Sequence, residues 1–228
     1  MMIDENVAFA SPATVYRLLK DAGLLNRWHD SKAAKKDGFD QPESVHEHWH
    51  MDISYVKVLS EPHFLIAVLD GASRAILAHD LRKNMQTADV EIVLEQARER
   101  FPMARPRMIT DNGSQFVAKE FRCFVKACEF DHVRTRVNHP QSNGKIERLF
   151  KTVKNELIRR QAFISLEDAC SRINAFVEYY NTVRLHSAIC YLTPDDALNN
   201  RIEQRLKERK QKLENAKIQR RKAVENSL

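Results

Sequence analysis

The order of strand and helix signals predicts an α/β fold: a mixed five-stranded sheet flanked by helices, with a short helical remnant before it and a basic helix after it. Two observations carry this. Strand-like runs at residues 49–59, 63–69 and 74–81 follow one another through short links, which reads as an antiparallel meander. Helical and strand-like stretches then alternate from residue 87 to residue 160, the pattern of parallel strands reached through helices.

Taken in order, residues 11–23 carry a helix signal. Ser11 suits the N-cap, Pro12 the first helical position and Gly23 the stop. Residues 28–45 are polar and rich in turn formers, and read as a linker. The second strand ends at the turn pair Asp70-Gly71. Thr87 is expected to cap a helix to about Phe101, with Val90, Val93, Leu94 and Ala97 as its buried stripe. A short strand at Met108–Thr110 comes next, then a helix at 115–129 and a strand at 130–137. A helix is expected from about Lys145 to Arg160, and another to about Asn181 behind a capping box of Ser165 and Asp168. Thr193-Pro194 opens a last helix, expected to run into the tail.

At 228 residues the chain suits one domain with appendages, and 43% apolar residues suffice for a core. No apolar run reaches the roughly 18 residues of a membrane span, and no signal peptide is read at the N-terminus. Cys123, Cys128, Cys170 and Cys190 lack the paired spacing of a zinc site. A reduced, cytoplasmic setting follows as an expectation. The net charge of +6 lies in the tail: residues 201–228 hold ten Lys/Arg and four Asp/Glu, and the rest balances. Such a tail suits nucleic acid, and equally a solvated terminal helix.

Three carboxylates stand out. Asp52 lies within a strand-like apolar run, where a charge is costly unless paired or metal-bound. Asp111 ends the short strand before Asn112-Gly113, and Glu147 opens a helix after the loop 138–144. With 35 residues between Asp111 and Glu147, the set looks like the D, D, 35, E triad of polynucleotidyl transferases. Such carboxylates suit Mg²⁺ or Mn²⁺, two ions, with Asp52 as the bridging ligand. Lys151 and Lys154 share a helix face with Glu147. Together with Asn143, Gly144, Lys145 and Arg148 they are the expected DNA contacts. His46, His48 and His50 alternate but have no further ligands in view, and read as a polar lead-in to the first strand.

The local sequences carry a resemblance. TDNGSQF around Asp111 and NHPQSNGKIERLFKTVKNEL around Glu147 resemble the integrase-core transposases of bacterial insertion sequences, relatives of retroviral integrases. WHMDISYV resembles the family's first strand, where Thr is more usual than Ser54. EYYNTVRLHSAICYLTPDDAL resembles its closing motif, with Arg184 and His186 kept, Leu185 in place of Pro and Cys190 in place of Gly. The resemblance covers about residues 46–200 and implies a ribonuclease H-like fold. It also implies catalytic and metal roles for Asp52, Asp111 and Glu147. Mg-dependent cleavage at element ends and 3′-hydroxyl strand transfer would follow, by a homodimer or larger synaptic assembly in the bacterial cytoplasm, at the nucleoid. Residues 11–25 resemble the last helix of the helix-turn-helix that precedes such cores. The expected division is therefore 1–27 partial helix-turn-helix, 28–45 linker, 46–200 catalytic core and 201–228 basic tail. The alternative is an N-terminally short, non-catalytic DNA-binding remnant or regulator.

Overall fold

The structure, a computed structural model, describes residues 3–7, 9–25, 41–135 and 143–225. These fall into two compact units, one within residues 39–199 and one within residues 1–38 and 200–228. The expected linker and the loop 138–142 lie largely outside the described residues.

The larger unit is built on five strands: β1 (His48–Val58), β2 (Glu61–Asp70), β3 (Ile76–Arg82), β4 (Arg107–Thr110) and β5 (Asp131–Arg134). Their spatial order is β3-β2-β1-β4-β5. β1, β2 and β3 pair antiparallel, while β4 and β5 join in parallel. The parallel strands are reached through α2 (Thr87–Arg100), then α3 (Ser114–Val117) and α4 (Lys119–Ala127). The chain continues through α5 (Gly144–Val153), a π-helical turn at Lys154–Ile158, α6 (Leu166–Thr182) and α7 (Pro194–Leu198).

Helices cover both faces of the sheet. On one, Trp49 and Met51 of β1 pack with Val90, Val93 and Leu94 of α2 and with Phe116, Phe121 and Val125. On the other, Val56 and Val58 pack with Ile146, Leu149, Phe150 and Val153 of α5 and with Ile173 and Phe176 of α6. The two-residue period of β1 thus sends odd positions to one core and even positions to the other.

Several local expectations need correction. Gln86, not Thr87, is the N-cap of α2, exchanging hydrogen bonds with Asp89 in a capping box. The stretch 115–129 is two helices broken at the extended Ala118 (φ −51°, ψ 144°). On one continuous helix Phe116 and Phe121 would point about 140° apart. The break lets both reach the same core, with ring centroids 5.4 Å apart. The helix opening at Pro194 ends at Leu198, and Asn200 (φ 56°) separates it from α8 (Ile202–Glu225). Asn tolerates that left-handed backbone better than most residues.

Cys190 also occupies the left-handed region (φ 59°, ψ 31°), where glycine was expected. A side chain there costs about 1–2 kcal/mol, and glycine's greater unfolded-state entropy offsets part of that. Cys190→Gly is therefore expected to stabilise the protein by about 0.5–1 kcal/mol, since the side chain is exposed. Urea unfolding checks this; a lower midpoint in the variant would refute it.

The smaller unit contains α1 (Pro12–Asp21), capped by Ser11, whose hydroxyl accepts from the Thr14 N–H at 3.1 Å. None of the residues of α1 is buried. α8 uses some of its cations internally. Arg209 clamps the Asp4 carboxylate at 2.7–3.0 Å, and Lys212 donates to the carbonyls of Ile3 and Asp4. Arg209 thereby holds the Asp4 carboxyl down at about 2. Among the described residues no helix is long and apolar enough to cross a membrane.

Candidate active site

The parallel pairing of β1 with β4 places two of the three carboxylates. Its last paired residues are His50 and Ile109. Two residues further along each strand come Asp52 and Asp111. The parity of β1 points Asp52 toward α5, the helix that carries Glu147 in its first turn. A carboxylate there is favoured by the helix dipole.

Each carboxylate has its own support. Asp52 Oδ1 accepts from the Ile53 N–H at 2.8 Å, and Oδ2 accepts from Asn143 Nδ2 at 3.2 Å. Asp111 Oδ1 accepts from the Gly113 N–H at 2.8 Å, closing an Asx turn. Asn112 Nδ2 ties that turn to the Thr135 carbonyl at 2.8 Å. A side chain at Gly113 would press on Asp111 Oδ1, only 3.1 Å from where its Cβ would stand.

The Asp52 carboxyl is pushed up to about 7. Burial is the largest cause, and the charges of Asp111 and Glu147 add to it against the opposing Ile53 N–H and Lys154. A carboxyl held protonated chiefly by burial, with two further carboxylates adding to the effect, marks a place where negative charge is poorly solvated.

Asp52 and Glu147 open onto a cleft of about 350 Å³, also lined by Ser54, Phe150, Lys151, Lys154, Asn155 and Arg159. Asp111 does not line this cleft and acts on Asp52 from beside it. Among the described residues no three His, Cys, Asp or Glu side chains stand close enough together to cage one ion.

Of the expected DNA contacts, Lys151 and Lys154 reach the cleft, and Asn143 reaches Asp52. Gly144, Lys145 and Arg148 do not; they line a second cavity with Arg74 and Tyr180. The helical wheel explains the split, since Arg148 and Lys145 lie about 100° and 160° around α5 from Glu147.

Asn155 and Arg159 were missed by sequence reasoning. The available signal was their spacing, 147, 151, 155, 159. An α-helix would drift away from that line, but the chain widens into a π-turn, with the Arg159 N–H bonded to the Lys154 carbonyl at 2.9 Å. Arg159 also donates to Asn155 Oδ1 at 2.7 Å. Behind the cleft, Arg184 of the closing motif holds Glu156 through both carboxylate oxygens at 2.8–3.2 Å, so its role here is to tie that motif to the π-turn.

Comparison with known proteins gives the family and the fold. Two families, each described as integrase core domain, match residues 42–140 and residues 129–194. An uncharacterized protein of insertion element IS136 from Agrobacterium fabrum is 34% identical over 137 residues, covering 57% of this chain and 70% of that protein. The chain belongs to the integrase core family. The transposase of insertion sequence IS904 from Lactococcus lactis is 28% identical over 150 residues, which is 65% of this chain. This integrase core protein spans 59% of the length of that transposase. Among solved structures, the integrase catalytic core domain of HTLV-2, in complex with magnesium, overlays with a TM-score of 0.55 at 19% identity, over 68% of this chain and 98% of that one. The catalytic core domain of BIV integrase gives 0.56 at 17%, over 71% and 99%. The fold of the integrase core is therefore the mixed five-stranded one expected from the element order, and ribonuclease H-like as the resemblance implied.

Proposed function

We propose that this integrase core protein is a polynucleotidyl transferase acting on DNA, a transposase that cleaves phosphodiesters and joins a 3′-hydroxyl to target DNA. The observation that carries the reading is the placement of Asp52 and Glu147 on a cleft edged by Lys151 and Lys154, with Asp111 brought beside Asp52 by the pairing of β1 with β4. Three hard carboxylates suit Mg²⁺ or Mn²⁺, and the strained Asp52 is the group that gains most from a cation. Each of two ions would take two protein carboxylates, Asp52 with Asp111 and Asp52 with Glu147, so no cage of three is needed. Mg²⁺ ordinarily keeps several waters. When bound, such ions polarise the phosphodiester and make the attacking oxygen more acidic.

The chain's own residues supply the rest. Asn143 and the Ile53 N–H orient the Asp52 carboxyl, and the Asx turn orients Asp111. Lys151, Lys154 and Arg159 offer cations to a DNA backbone crossing the cleft. Solved neighbours described as dimeric, as trimeric and as an intasome support assembly into dimers or larger synaptic complexes. The end of the larger unit at Asn199 supports a catalytic-core boundary near residue 200, with 201–228 as a basic arm. Residues 11–25 are proposed as the last helix of a DNA-recognition module.

The test is incubation of the purified chain with labelled DNA bearing a free 3′-hydroxyl, plasmid, and Mg²⁺ or Mn²⁺, with a chelator as blank. Metal-dependent nicked or joined product is expected. Product of equal yield in the chelated sample would overturn the reading.

A further inference from the structure

The flank of α5 that faces away from Glu147 borders a second cavity, of about 340 Å³. Its cations come from two distant parts of the chain: Arg74 from the β2–β3 turn, Lys145 and Arg148 from α5. Among the described residues none of the three forms an ion pair. Lys145 Nζ and Arg74 Nε are closed off from water and have no hydrogen-bond partner. The acidic side chains whose charge reaches them, Asp70 and Glu47, offset them at a distance but form no ion pair with them. Asp70 accepts from the Ala72 and Ser73 N–H groups, the Ser73 hydroxyl and the His46 N–H, and Glu47 accepts from the Glu43 and Ser44 N–H groups.

The neutral groups on the wall are donors too. Burial keeps the Tyr180 hydroxyl protonated, pushed up to about 12. His186 is held down at about 4 by burial and by Arg74, Arg184 and Arg148, so its ring is neutral. Its Nδ1 accepts from the Ala188 N–H at 3.3 Å, which leaves the proton on Nε2. A pocket of cations and N–H and O–H donors, two of them buried without a partner, suits an anion with several acceptor oxygens.

We infer that this cavity is a phosphate-binding site, separate from the carboxylate cleft, formed by Arg74, Lys145 and Arg148. A phosphate presents enough oxygens to meet all three cations, which a lone carboxylate does not. Its source is a backbone phosphate of a bound DNA strand, a point that rests on the DNA-joining function proposed above; free inorganic phosphate has the same chemistry.

Lys145→Met and Arg148→Gln test this. Lys145→Met removes a buried amine that has no partner, and Arg148 is exposed, so both variants should melt as the parent does. Two probes are used without divalent metal: inorganic phosphate by calorimetry, and a labelled single-stranded oligonucleotide by anisotropy across a salt series. Each variant is expected to bind both probes about tenfold more weakly. Each should also lower the slope of log affinity against log salt by about 0.7 for the oligonucleotide. Loss confined to the oligonucleotide keeps the site and its DNA source. Loss confined to inorganic phosphate keeps the site and overturns the source. Unchanged binding of both probes in both folded variants overturns the inference. If the parent protein binds both probes but gives no joined product, the DNA-joining reading fails while the phosphate site stands.

Discussion

Asp52→Asn is expected to abolish DNA nicking and joining, and at the same time to raise the melting temperature of the metal-free protein at pH 8. The loss of activity follows from the role proposed for Asp52 as ligand to both ions. Removing a charge that stabilises the transition state costs several kcal/mol, or about 10²–10⁴-fold in rate. The gain in stability follows from the raised carboxyl, about 7 against the ordinary 3.8 of an aspartate. Below pH 4 Asp52 is protonated whether the chain is folded or not, and it carries no penalty. Between pH 4 and 7 the unfolded chain ionises first, so folding loses stability as pH rises, and above 7 the full penalty applies. Asparagine removes it. It can keep the Ile53 N–H as donor, and Asn143 can turn to offer Oδ1, which is now buried without a partner. The expected gain is on the order of 2 kcal/mol at pH 8, roughly 4–8 °C in melting temperature, and close to nothing at pH 4. Glu147→Gln is the contrast: the same loss of joining, but a melting temperature within about 2 °C of the parent, since Glu147 is exposed. Joining by either variant would remove the catalytic assignment, and an Asp52→Asn protein that melts lower at pH 8 in chelator would remove the electrostatic account of the site.

Asp70→Ala is expected to destabilise the protein by about 3–5 kcal/mol. The side chain is wholly buried. Its Oδ2 accepts from the His46 N–H at 2.8 Å, which fixes how the chain enters β1. Its Oδ1 accepts from the N–H groups of Ala72 and Ser73 and from the Ser73 hydroxyl, at 2.7–3.1 Å, which closes the β2–β3 turn. Alanine strands these donors away from water, and it also removes the buried negative charge that offsets Arg74 and Lys145. Asp70→Asn keeps the acceptor for the turn but sets an amide N–H against that of His46, so about half the loss is expected. Chemical denaturation of the two variants measures this. A loss under about 1 kcal/mol for Asp70→Ala would show that the turn and the lead-in to β1 hold without it.

Much of this protein is determined by its sequence alone. The two-residue alternation of β1, the Asx turn after Asp111 and the first turn of the helix at Glu147 are local patterns, and each places its carboxylate at a defined spot on its own element. The three-strand meander and the switch to strands joined through helices then bring β1 beside β4. Strand edges and caps were less legible: Gln86 takes the capping position that Thr87 seemed to have, because Asp89, three residues on, accepts from the Gln86 N–H at 2.9 Å. The tertiary structure alone decided what depends on partners far along the chain. The break at Ala118 exists because Phe116 and Phe121 serve one core. The π-turn that carries Asn155 and Arg159 over the cleft exists within a helix whose pattern reads as ordinary. The basic residues of α5 divide between two cavities because Arg74, some seventy residues earlier, stands on one side of the helix and Asp52 on the other. Spacing along a helix says which residues share a face; only the packed neighbours say what that face meets.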